Sequence, residues 1–63
     1  MEKELKYRGY TIVTAIFAQV GGYYAEIWKY GAKIKTLSFY KRRKEAEEGA
    51  FAWIDEYMDN EIY

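Results

Sequence analysis

Sixty-three residues suffice for one domain with a thin core, since a chain this short buries only about 60% of the surface its unfolded form exposes. The absence of Cys and His removes disulfides, thiolate zinc sites, a cysteine nucleophile and the imidazole base, leaving large side chains (eight Tyr, three Phe, two Trp) to supply the burial. Formal net charge is zero, yet residues 1–44 carry ten basic and three acidic side chains while residues 45–63 carry seven acidic and none basic, a sequence dipole of +7 and −7.

The first element predicted is a strand over residues 7–19, where Tyr10-Thr11-Ile12-Val13-Thr14-Ala15-Ile16-Phe17 is β-branched and aromatic with no Gly or Pro. Gly21-Gly22 then reads as a two-residue turn that pairs Val20 with Tyr23 and Ile16 with Ile27, giving a second strand over 23–30. A turn at Gly31-Ala32 leads into a third strand over 33–40, with Ile27 opposite Thr36 and Tyr24 opposite Phe39. From residue 43 the apolar period becomes helical: Ala46, Gly49, Ala50, Trp53, Ile54, Tyr57 and Met58 form one stripe of a helix over 43–60. The expected fold is α+β: a single domain over 1–63, a three-stranded antiparallel meander with one C-terminal helix packed on one face.

Alternation along the strands sorts the side chains into two faces. Ile12, Ile16, Ala18, Val20, Tyr23, Ala25, Ile27, Ile34, Thr36 and Ser38 make a nearly uncharged face, which is assigned to the helix. Val13, Phe17, Tyr24, Trp28, Tyr30, Leu37 and Phe39, interleaved with Glu26, Lys33 and Lys35, make a second face left open. A one-residue change in either turn exchanges some of these positions.

The stretch Gly22-Tyr23-Tyr24-Ala25-Glu26-Ile27, then Gly31, Ile34 and Thr36, then Tyr40-Lys41-Arg42-Arg43-Lys44-Glu45-Ala46-Glu47-Glu48-Gly49 resembles the YegP-like family of small bacterial β-β-β-α modules. The resemblance spans about two-thirds of the chain and is closest at Tyr40, Ala46, Glu47 and Gly49, which fall where the family has an aromatic, a short turn and a helix opening Ala-Glu-x-Gly. It implies a fold and carries no catalytic motif. Where that family often has Ser or Thr before the helix, this chain has Arg42 and Arg43.

Three constellations stand out. Lys41, Arg42, Arg43 and Lys44 sit where the helix begins and oppose its partial positive charge, while Asp55, Glu56, Asp59 and Glu61 oppose the other end. A sequence shaped only for stability reverses that placement, so the acids are expected to face a basic protein and the basic run, with Lys33 and Lys35, to grip an anion. Against this stands the plain reading of a charge run as a solvated turn paired with a neighbouring strand. Phe17, Tyr24, Trp28, Tyr30 and Phe39 form an aromatic surface suited to a protein interface, or to no more than a cross-strand ladder that stiffens the sheet. Asp55 and Asp59, one helical turn apart, lack the further oxygen ligands a cation needs, so neither metal nor cofactor is expected.

An enzyme is not expected from an inventory of Ser, Thr, Tyr, Lys and carboxylates in a domain too small to enclose a dry pocket. The reading is a small interaction protein acting by surface occupation. It serves as a homodimer building block through the aromatic face or a sheet edge, or as an inhibitor or adaptor of the phage or mobile-element kind bound to a basic protein. The alternative is a nucleic-acid-binding module using the basic run and the sheet aromatics. Met1-Glu2-Lys3-Glu4 is too charged for a signal peptide and no apolar run nears the roughly 20 residues of a membrane span, so a cytoplasmic setting without membrane contact is expected.

Overall fold

The computed structural model describes residues 3–60. Four antiparallel strands, β1 (Lys3–Tyr7), β2 (Tyr10–Phe17), β3 (Gly22–Lys29) and β4 (Ala32–Tyr40), form one sheet in sequence order, and α1 (Arg43–Asn60) crosses one face. The meander and the single C-terminal helix stand as expected; the three-strand count does not.

The extra strand arises because residues 7–19 do not run straight. Arg8 and Gly9 have φ of 51° and 87°, the paired positive values of a type I′ turn, and they fold Tyr7 back onto Tyr10. The right-handed twist of the flanking strands selects that turn, and Gly9 satisfies its second position without a Cβ penalty. β1 thereby becomes an edge strand that pairs Lys3 with Thr14 and Leu5 with Ile12.

The turn expected at Gly21-Gly22 is instead a four-residue loop over 18–21. Phe17 O accepts from Val20 N at 3.2 Å and from Gly21 N at 2.9 Å, and Gly21 takes φ 68° to close the loop. Ile12 therefore stands opposite Ile27 where Ile16 was expected, a slip of four residues. Because four is even, every side chain of β2 and β3 keeps its predicted face. Ala18 and Val20 leave the sheet and become exposed.

The second turn lies one residue earlier than expected, at Tyr30-Gly31, with φ of 55° and 78°. Gly belongs at the second position of a type I′ turn, which Gly31 occupies here and would not in a Gly31-Ala32 turn. Moving the turn by one residue shifts the register by two and sets Lys33 opposite Trp28, but a bulge between Ile27 and Trp28 then adds one residue and exchanges the faces of central β4: Glu26 pairs with Thr36 and Ala25 with Leu37, so Thr36 and Ser38 lie on the bare face while Lys35 and Leu37 lie on the helix side. A second irregularity, between Tyr23 and Tyr24, shifts the far end of the ladder by one more residue. Lys33, opposite Trp28, is therefore on the bare face as expected, and Phe39 contacts Phe17 there.

The core lies between the sheet and the helix stripe. Ile12, Ala25 and Ile27 on the strands and Ala46, Ala50 and Ile54 on α1 are fully buried, with Tyr10 beside them. Small residues at 46 and 50 let the helix approach closely. Gly49 fits against the Tyr40 ring so tightly that a Cβ would stand 2.8 Å from its Cζ. Trp53 is only half-buried and stacks on Tyr57 at 4.8 Å. Ile16 is on the helix side but 45% exposed, outside the buried cluster.

Candidate protein-interaction surfaces

α1 has three kinds of longitudinal row, set by its 3.6-residue period. The apolar row meets the sheet. Beside it, Glu47, Phe51 and Asp55, spaced four apart, turn toward β1. Glu47 Oε2 is 3.5 Å from Lys3 Nζ, and the Phe51 ring lies 4.5 Å from that of Tyr7. Tyr7 Oη donates to Asp55 Oδ1 at 2.9 Å and to Oδ2 at 3.1 Å, while Arg8 Nη1 donates to Oδ1 at 2.7 Å. The Arg8 guanidinium, then the Tyr7 hydroxyl, hold the Asp55 carboxyl below its ordinary range, and the same bond to Asp55 raises the Tyr7 phenol.

Opposite the core runs the third row: Glu45, Glu48, Ala52, Glu56 and Asp59, all exposed. None of its four acids forms an ion pair with a described residue, although Asp59 adds to the field that raises Arg8. At about 1.5 Å per residue the row is about 21 Å long. Of the acids expected to face a partner, Glu56 and Asp59 lie on this row, Asp55 is held by β1, and Glu61 lies outside the described residues. Glu45 and Glu48, counted in sequence only among the seven acids after residue 44, join the same face by their three- and four-residue spacing to 52, 56 and 59.

The bare sheet face has two parts. At one end Phe17 meets Tyr24 at 6.2 Å and Phe39 at 5.6 Å, both edge to face, beside a groove of about 430 Å³ that Gln19, Thr36 and Ser38 help to line. Phe39 is 57% exposed. In the middle, Glu26 organises the polar residues: Trp28 Nε1 donates to Glu26 Oε1 at 3.1 Å and Lys33 Nζ lies 3.6 Å from Oε2. Lys35, expected beside Trp28, is on the other side of the sheet, and Tyr30 projects from the turn, 95% exposed, with Lys29 Nζ 5.1 Å from its ring centre.

In the basic run, Lys41, Arg42 and Lys44 are exposed at the start of α1, and Arg43 is half-buried with its guanidinium carbon 5.3 Å from the Tyr23 ring centre. Arg42 O accepts the Ala46 amide at 3.2 Å and so begins the helix ladder. Among the described residues no helix is long and apolar enough to cross a membrane. No family model, curated protein or solved structure matches this chain, so its resemblance to the YegP-like modules rests on the quoted residues alone.

Proposed function

We propose that the chain is a small non-catalytic interaction module that acts by occupying a basic surface of a larger protein with the outer row of α1. The observation that carries this reading is the division of the helix acids. Glu47 and Asp55 are matched to Lys3 and Arg8, whereas Glu45, Glu48, Glu56 and Asp59 line one solvent face without an ion pair to any described residue. Such a row attracts a basic protein surface from a distance and repels nucleic acid. Inhibition or adaptor action follows from blocking whatever the basic surface otherwise holds.

The nucleic-acid alternative has less support in the geometry. A stacking platform needs free rings and free cations on one face. Here Trp28 and Lys33 are both engaged by Glu26, Glu4 shares that face, and Lys35 is on the other.

The test is affinity capture from the source cell with the wild-type chain, with a variant carrying Lys at 45, 48, 56 and 59, and with one carrying Ser at 41, 42 and 44. A basic protein held by the wild type and the Ser variant but lost by the Lys variant supports the proposal. Retention by the Lys variant, or loss confined to the Ser variant, overturns it.

A further inference from the structure

The two edges of the sheet are unlike. β4 is interrupted by two register irregularities, and such bulges spoil an edge as a template for further pairing. β1 pairs with β2 through five consecutive residues without interruption, so its outer side presents a regular row of backbone donors and acceptors. Lysines commonly protect such an edge, but both lysines of β1 have acidic neighbours: Lys3 lies 3.5 Å from Glu47 and Lys6 lies 3.9 Å from Glu4.

The order of charges along β1 is also self-complementary. Leu5 is central, Glu4 and Lys6 flank it on the bare face, and Lys3 and Tyr7 stand on the helix side. A two-fold axis through Leu5 pairs the strand antiparallel with itself. Glu4 then faces Lys6 of the second copy and Lys6 faces Glu4, so both opposite-charge pairs form at once, as an isologous contact requires. On the helix side Lys3 faces the second copy's Tyr7, whose hydroxyl is held on Asp55.

We infer that the chain self-associates through β1, two copies joining edge to edge about Leu5 into one continuous eight-stranded sheet with both helices on the same side. The acid row of each helix stays exposed in that dimer, so the inference does not depend on the reading of α1 as a partner surface.

Sedimentation velocity over a range of concentrations tests it with charge swaps at two exposed positions. The wild type is expected to dimerise. Glu4→Lys and Lys6→Glu each place like charges opposite one another at two sites, and each is expected to weaken the dimer by about tenfold or more. The double swap restores the pattern in reverse and is expected to recover the dimer, and an equal mixture of the two single variants is expected to form a heterodimer. A wild type that stays monomeric at its solubility limit overturns the inference. So does a dimer that tolerates Glu4→Lys but is lost with Phe17→Ser and Phe39→Ser, which would place the contact on the bare face.

Discussion

Asp55 shows how one residue carries two readings. In sequence it belongs to an acidic run; in space it accepts hydrogen bonds from Tyr7 and Arg8 and closes the β1–β2 turn against α1. Its side chain and that of Arg8 are each more than two-fifths exposed, so solvent screens the ion pair and its contribution is small. A carboxyl held below its ordinary value of 3.8 stabilises the fold at higher pH and loses that contribution as pH falls below 3.8 through its folded value. Tyr7, raised above 10.0, contributes below that pH and loses its contribution as pH rises past it. Asp55→Asn is therefore expected to lower Tm at neutral pH, with the gap narrowing in acid; a constant gap from neutral pH into acid would contradict the assignment.

Tyr30 raises a second residue-scale point, because it holds φ 55° while 95% exposed. A side chain with a Cβ in the left-handed region costs roughly 1–2 kcal/mol, which Asn and Gly largely avoid. Tyr30→Asn is expected to stabilise the chain by about 0.5–1 kcal/mol in urea unfolding. A loss of stability would show that the Lys29 contact with this ring outweighs the backbone strain.

At the scale of elements, the sheet and the helix were legible in sequence wherever periodicity alone decides. β2, β3 and β4 carry β-branched and aromatic runs, and α1 has its 46, 50, 54 stripe. The turns were not legible, because Arg8-Gly9 and Tyr30-Gly31 place Arg and Tyr where a type I′ turn ordinarily shows Asn, Asp or Gly. A turn hidden in this way joined Tyr7 to β2 and left residues 3–6 outside any expected element, and with β1 unseen the row of Glu47, Phe51 and Asp55 had nothing to face. The bulge in the ladder between Ile27 and Trp28 had a different cost: its odd shift sent Lys35 and Leu37 to the helix side, whereas the even slips at residues 18–21 and at the second turn left the faces intact.

The same packing reorders the expected anchors. Trp53 looks dominant by size, but it is half-buried, whereas Ile54 is fully buried between α1 and the strands. Ile54→Ala is expected to cost about 2–5 kcal/mol, which is a large share of the stability of so small a domain. Trp53→Ala is expected to cost less, and chemical denaturation of the two variants side by side checks the order. Equal losses would mean that the Trp53–Tyr57 stack matters more to stability than its exposure suggests.

Across the whole molecule, the sequence dipole is partly cancelled by folding. The first hairpin returns Lys3 and Arg8 to Glu47 and Asp55. What survives is local: the acid row on the outer face of α1 and the exposed cations Lys41, Arg42 and Lys44 at its start. The cations at its start and Glu56 and Asp59 near its end oppose the helix dipole, each at about 0.3–1 kcal/mol at most, whereas Glu45 in the first turn favours it. A chain with so thin a core retains Glu56 and Asp59 at some expense to stability, which supports the proposal that the acid row serves a partner.

The most direct test of that assignment is the association rate between this chain and its captured basic partner, measured at several ionic strengths for the wild type and for the variant with Lys at 45, 48, 56 and 59. The account predicts a wild-type rate that falls steeply as salt rises, and a variant that associates about tenfold or more slowly at low salt with the two curves converging at high salt. A variant rate equal to the wild-type rate across the salt range would contradict it.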